Sequence, residues 1–369
     1  MKRIVTTKYD VRSKLERVFK HDLLLALVIG ITIIFVGAGL GYENNKVVLV
    51  NPLPLTHYMS KNPGGLSFLA NWDGANYLAI ASHGYVSANQ TNFFPLYPML
   101  IYLFHFILFS PLYSALIISW VSLVGAVFFY IKISGRLFNV KGASEKLRAA
   151  LVFILFPPAI WLLAAYTESL FAFLALGAIY FSLSKRYLLA GLMLMLANAA
   201  HVDGVFVLAL VAMIMIEERA GWWRILATGV TGFLGLAGYM LYLSARYRNP
   251  LSFVTAQRQH GWLEHSLGSL AGDFSFVHLL FLLLLIAGAI YWWKKRKSFS
   301  IYCLLFVLVP LVGGQFGGFE RYCLMAFPVP LMLYSFFRQK TTAYSIIIAI
   351  SAIFWTYFLF QFSGGYIGG

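Results

Sequence analysis

The sequence predicts an all-α polytopic membrane protein of about eleven transmembrane helices, read as one membrane domain over residues 1–369. Three observations carry that prediction. Hydrophobic residues make up 60% of the chain and charged residues 11%, against roughly a quarter charged in ordinary soluble domains, which excludes a water-soluble globular protein. The apolar residues fall in runs separated by short polar breaks, and about 20 apolar residues are what a helix needs to cross the hydrocarbon core. The 28 Lys and Arg sit in short clusters between those runs, where they set topology. The net charge of +15 therefore implies no nucleic-acid partner.

Residues 1–21 form a basic stretch with Lys2, Arg3, Lys8, Arg12, Lys14, Arg17 and Lys20. It is too long and too charged for a short secretory n-region, and no small-residue cleavage site follows, so 22–41 reads as a retained first span. The remaining spans are predicted at 112–133, 149–165, 168–184, 187–201, 203–217, 223–244, 274–293, 299–313, 322–337 and 342–362. The apolar stretch Phe93 to Phe109 is ambiguous, and the basic clusters arbitrate. Treated as an interfacial or re-entrant helix, it leaves 22 basic residues on the cytoplasmic side and 6 outside. Treated as a span, it moves the Lys132 to Arg148 cluster and Lys294-Lys295-Arg296-Lys297 outside, against the positive-inside rule. Pro95 and Pro98 also disfavour an uninterrupted helix there, although the same aromatics would serve as a plain membrane anchor. The predicted topology has a cytoplasmic N-terminus, a first outer loop over 42–111 with interfacial helices, a second outer loop over 245–273, and a short outer turn from Gly313 to Arg321. No 20–50-residue repeat and no soluble domain is evident.

Chemistry is to be sought in the outer loops. Cys303 and Cys323 lie within or beside apolar segments and offer neither a disulfide framework nor a CxxC pattern. No GxGxxG, GxxxxGK(S/T), HExxH or GxSxG motif occurs, so no cofactor or metal is implied and cytoplasmic nucleotide chemistry is unsupported. Six of the 13 acidic residues, Asp10, Glu16, Asp22, Glu145, Glu217 and Glu218, fall on the predicted cytoplasmic side among basic residues and read as solvated charges. Glu43, Asp73, Glu168, Asp203, Glu264, Asp273 and Glu320 remain.

Asp73 stands in Asn71-Trp72-Asp73-Gly74-Ala75-Asn76-Tyr77, a stretch rich in aromatic and polar side chains with no basic partner in sequence. Partial desolvation beside Trp72 and Tyr77 would raise its proton affinity toward that of a general base, and the aromatic faces suit sugar rings. The alternative is that Asp73 caps a short helix while Trp72 anchors at the interface. Glu168 follows Tyr166 and Thr167 at a helix junction, where an ionisable group is costly unless paired or facing water; it is equally readable as a first-turn acid favoured by the helix dipole. Asp203, in His201-Val202-Asp203-Gly204, reads as a structural pair with His201. Gln257, in Pro250-x-x-Phe253-x-x-x-Gln257, shares a helix face with Phe253, within a segment whose amide, guanidinium and imidazole groups suit hydroxyl-rich or phosphate ligands. Arg321, delivered by a glycine-rich turn, has the fork geometry for a phosphate, or it pairs with Glu320.

These residues carry a resemblance. The block Trp72-Asp73-Gly74-x-x-Tyr77-x-x-Ile80-Ala81-x-x-Gly84-Tyr85 looks like the first outer loop of the PIG-V type mannosyltransferases, relatives of GPI mannosyltransferase II. Phe94-Pro95-Leu96-Tyr97-Pro98, Tyr166-Thr167-Glu168, the Phe253/Gln257 segment and Arg321-Tyr322 with Phe327-Pro328 follow in that family's order. The chain departs from eukaryotic members in reading His201-Val202-Asp203-Gly204 where they tend to have an Arg-Ser-Asn-Gly type turn, and Trp262 comes two residues late after Gln257. The resemblance implies a GT-C type bundle with juxtamembrane helices in the first outer loop. It further implies an inverting transfer of mannose from a polyprenyl-phosphate-mannose donor to a lipid-linked or cell-surface glycan acceptor outside the membrane. By that analogy Asp73 is the catalytic base and Arg321 the donor-phosphate contact; Glu168, Gln257, Trp72 and Tyr77 are expected as substrate-binding members of the same site. The implied location is the cell membrane, or the endoplasmic reticulum membrane in a eukaryote. A transferase for another polyprenyl-linked sugar, and a non-catalytic transporter or flippase of a lipid-linked saccharide, are the alternatives; a transporter would be expected to show inverted repeats and midplane acids.

Overall fold

A computed structural model describes residues 2–48, 65–259, 274–313 and 316–367, and among these every regular element is helical. The first helix, α1 (Lys2–Val48), runs from the basic N-terminus through the predicted span 22–41 without interruption. The next two are α2 (Asp73–His83) and α3 (Leu96–Leu108). With 13 residues, α3 is about 20 Å long, well short of the roughly 30 Å hydrocarbon core. Helix α4 (Pro111–Phe138) opens with Ser110, whose side chain accepts the Tyr113 N–H at 3.4 Å, and with Pro111 at a position that needs no donor.

The predicted span 149–165 is not one helix. Helix α5 (Ala143–Ile154) stops before Pro157-Pro158, which lack amide donors, and the chain continues as a 3₁₀ segment at Pro157–Leu162. Then come α6 (Glu168–Leu183), α7 (Tyr187–Ala200), α8 (Gly204–Glu217), α9 (Trp222–Tyr247) and the short α10 (Ser252–Gln259). The last group is α11 (Phe276–Trp293), α12 (Lys297–Gly313), α13 (Phe319–Leu324), α14 (Pro328–Phe337) and α15 (Thr341–Ser363). The predicted span 322–337 is thus divided between α13 and α14, because Pro328 cannot continue a helix but suits the first turn of a new one. By length and composition five described helices can cross a bilayer, the 20–45 part of α1 together with α4, α9, α11 and α15. The other apolar helices have 10–17 residues. The chain is a multi-pass membrane protein.

Helix α6 is buried along nearly its whole length, packed between α4 and α7. Helices α7 and α9 approach closely because α9 carries glycine at the contact: a Cβ on Gly235 would lie 1.8 Å from the Met195 carbonyl oxygen. Small residues of this kind let membrane helices pack backbone to backbone. At one membrane face the buried Asp22 of α1 is gripped by Lys132 of α4 at 3.0 Å and Lys146 of α5 at 2.5 Å. Asp22, expected as a solvated charge, therefore ties α1 to the bundle. At the other face the N-terminal ends of α2 and α6 meet α13, and the candidate site lies at that junction.

Candidate active site

Asp73 is the first residue of α2, where the helix dipole favours a carboxylate. The approach to it is tightly turned. Asn71 is extended, Trp72 has φ 54° and ψ −116°, and only then does the helix begin. A non-glycine residue in that region costs on the order of 1–3 kcal/mol and is held only by its surroundings. The surroundings are on hand. The Tyr166 hydroxyl donates to the Asn71 carbonyl at 3.0 Å and accepts the Asp73 N–H at 3.3 Å, and the Ala165 N–H donates to the Leu69 carbonyl at 2.8 Å. Gly74 lies against the same strip of chain, where a Cβ would sit 3.3 Å from the Ala165 carbonyl oxygen.

The sequence offered Asp73 no basic partner; the fold supplies one. Arg321 Nη1 donates to Asp73 Oδ2 at 2.5 Å, while its Nε lies 3.3 Å from Glu168 Oε1. One guanidinium therefore bridges two carboxylates that lie 95 residues apart in sequence. Arg321 does not pair with Glu320, which is held instead by His278 Nε2 at 3.0 Å. The side chains differ in access: 19% exposed for Asp73, 7% for Arg321 and 3% for Glu168. Asp73 is thus the most accessible of the three and Glu168 the least. Burial works against the charge on Arg321, but the Asp73 and Glu168 carboxylates outweigh it and hold the guanidinium protonated well above its ordinary range. Its plane also lies 5.6 Å from the Tyr166 ring centroid.

Tyr77 is one turn beyond Asp73 and buried, its ring meeting Phe93 and Tyr97 edge-on at 5.1 Å each. Burial, reinforced by Glu168 and Asp73, pushes its phenol well above the usual tyrosine range, so it stays a neutral donor. Trp72 is half-buried against the main core, with an indole N–H that has no hydrogen-bond partner among the described residues. Behind them Tyr97 binds the Ala115 carbonyl at 3.0 Å and Ser119 Oγ at 2.7 Å, and Ser119 reaches the Tyr166 carbonyl at 3.1 Å. This support was not singled out in the sequence; the hydroxyl role of Tyr166 in particular depends on a contact across 93 residues.

Gln257 stands apart. Its helix α10 packs on the 3₁₀ turn Ala88–Asn92, with Phe253 against Phe94 and Tyr239, and among the described residues no hydrogen bond or ion pair joins Gln257 to Asp73, Glu168 or Arg321. His260, Trp262, Glu264 and Asp273 lie outside the described residues. Asp203 and His201 form a local turn in which His201 Nδ1 accepts the Asp203 N–H at 3.2 Å. That bond leaves Nδ1 no proton to give the Asp203 carboxylate 3.5 Å away. Among the described residues no group of three or more His, Cys, Asp or Glu could hold a metal ion.

The family described as Mannosyltransferase (PIG-V) matches residues 18–227. The chain belongs to that family. Two curated relatives, the GPI alpha-1,6-mannosyltransferase 2 proteins of Mus musculus and Cricetulus griseus, are each 30% identical over 155 residues, covering 38% of this chain. The match spans only 30% of the length of either relative. Among solved structures, the Archaeoglobus fulgidus oligosaccharyltransferase is similar over 91% of this chain and 53% of its own, at 14% identity and a TM-score of 0.45.

Proposed function

We propose that this chain is an inverting membrane glycosyltransferase that moves mannose from a polyprenyl-phosphate-mannose donor to a hydroxyl of a lipid-linked or cell-surface glycan, with Asp73 as base. The observation that carries the reading is the Asp73–Arg321–Glu168 constellation at the head of α2, in a chain of the mannosyltransferase family. Inverting transfer from a phosphate needs one carboxylate and one cation for the leaving group, and both are present. The acceptor O–H gives its proton to Asp73 as its oxygen bonds to the anomeric carbon. The bond from that carbon to the phosphate oxygen breaks on the opposite face, and polyprenyl phosphate departs with the electron pair, its added charge met by Arg321.

Without donor, the Asp73 carboxylate is occupied by that same arginine. A phosphate can take the guanidinium edge bidentately, and the more exposed Asp73 is the partner that yields, while the buried Glu168 keeps its hold on Nε. Glu168 acts through Arg321 and is a positioning residue. Trp72 and Tyr77 form the aromatic wall beside the sugar, and Gln257 belongs to a separate part of the acceptor path. The site faces outward, with the N-terminus of the chain in the cytoplasm, since the basic clusters then lie inside.

The test is transfer of radiolabelled mannose from synthetic polyprenyl-phosphate-mannose by membranes expressing wild type or Asp73→Asn, with a lipid extract of the source organism as acceptor. Loss of a general base costs about 10² to 10⁴ in rate, so incorporation should vanish in the Asn variant at equal expression. Equal incorporation by both proteins would eliminate Asp73 as the base.

A further inference from the structure

Two helices lead away from the active site to the same spot. Helix α11 starts beside His278, which holds Glu320 next to Arg321, and Trp293 lies about 22 Å further along its axis. Helix α8 starts beside Asp203 and ends at Glu217, about 20 Å away. Their far ends meet at the hairpin Lys294-Lys295-Arg296-Lys297 that joins α11 to α12, on the membrane face opposite Asp73.

The carboxylates at that hairpin are already used. Arg296 reaches Glu217 at 3.4 Å and forms a second ion pair with Glu218. Glu217 also accepts the Ser298 N–H at 2.7 Å and the Ser298 hydroxyl at 2.8 Å, closing the first turn of α12. Lys294, Lys295 and Lys297 are exposed and have no carboxylate partner among the described residues. Lys295 instead lies over the Tyr291 ring at 3.6 Å. The lysines border a pocket of about 530 Å³ whose walls include Trp293, Arg296 and the two glutamates. A second cavity, about 580 Å³, shares Trp293, Lys294 and Lys295 with the first and continues along the apolar surface of Ile286, Ile290 and Leu304. A cationic basin with neutralised acids thus opens directly into an apolar groove, and Ile290 is 72% exposed in that groove.

We propose that this hairpin binds one anionic phospholipid, its headgroup phosphate among Lys294, Lys295 and Lys297 and an acyl chain along Ile286 and Ile290. Charge complementarity selects the headgroup, and continuity with the apolar groove selects a lipid over a soluble anion. Trp293 sits at the junction, where an indole spans polar and apolar surroundings. The proposal is independent of the sugar chemistry, because it concerns the opposite end of α8 and α11 and is read by binding.

The test is native mass spectrometry of the full chain in detergent, with phosphatidylglycerol or phosphatidylcholine of equal chain length. Three juxtamembrane lysines predict about a hundredfold tighter retention of phosphatidylglycerol. The K294Q/K295Q/K297Q variant should bring the two lipids level, and Ile290→Trp, which fills the groove, should release phosphatidylglycerol about tenfold more readily with the lysines intact. Millimolar inorganic phosphate should not displace it. Equal retention of the two lipids by wild type overturns the proposal whether or not any variant folds. Displacement by inorganic phosphate overturns it in favour of a free-anion site, and full retention by the triple variant removes the lysines from it.

Discussion

Replacing Arg321 with lysine keeps the charge and removes the fork. The arginine spans two carboxylates through different nitrogens, Nη1 to Asp73 at 2.5 Å and Nε to Glu168 at 3.3 Å, with its side chain only 7% exposed. A lysine ammonium is a single point and cannot hold Glu168 while meeting a phosphate bidentately. The loss is therefore one charge-assisted hydrogen bond, about 1.5–3 kcal/mol, which at 1.4 kcal/mol per decade is about 10- to 100-fold in kcat/KM. Arg321→Met should be worse in a different way, because it strands the buried Glu168 carboxylate as well as the partly exposed Asp73 and costs about 3–5 kcal/mol of stability. The assay is mannose transfer at varied donor concentration, paired with thermal unfolding followed by a thiol-reactive dye. Cys303 and Cys323 are both free and buried, so dye reaction reports loss of the fold. Wild-type kcat/KM in a folded Arg321→Lys protein would refute the assignment of Arg321 to the donor phosphate.

Glu168→Gln should leave the chain folded but lower kcat and raise the donor KM, by about 10-fold in kcat/KM, since Arg321 loses one anchor while the base is untouched; an unchanged KM would argue for a purely structural role. Gly235→Ala should lower the unfolding temperature strongly, because its Cβ would meet the Met195 backbone at 1.8 Å and overpacking costs about 1–3 kcal/mol or more. Gly238→Ala, on the same helix with nothing within 4 Å, is the control and should be neutral. Asp22→Asn should destabilise by about 3 kcal/mol in the same dye assay without changing donor KM, as Lys132 and Lys146 lose a buried shared partner.

The helical membrane class was legible because hydropathy is a property of runs, and runs survive in a linear sequence. Helix ends were less so. Pro157-Pro158 and Pro328 sit inside runs apolar enough to read as spans, and only the missing amide donors show that the helix stops there. The members of the site were visible one at a time, Asp73 by its aromatic setting, Glu168 by its position at a junction and Arg321 by its glycine turn. Their grouping was not visible, since 248 residues separate Asp73 from Arg321 and local spacing carries no information about such a contact. The same blindness made Asp73 look unpaired and Asp22 look solvated, and left Glu320 standing as an alternative partner for Arg321. Each error has one physical cause: in a low-dielectric interior a charge finds its partner through the fold.

The pairing of Asp73 with Arg321 sets an order for the proposed reaction. In the proposed reaction a phosphate that takes that guanidinium edge frees the Asp73 carboxylate, so donor binds before the acceptor is deprotonated. The arrangement requires an arginine with two unequal partners, one fixed and one releasable, and the exposures of 3% for Glu168 and 19% for Asp73 provide that inequality. The strained Trp72 and the Tyr166 hydroxyl then matter for the same reason. They hold the backbone of Asp73 at the head of α2, so that in the proposed reaction only its side chain need turn when the guanidinium is taken.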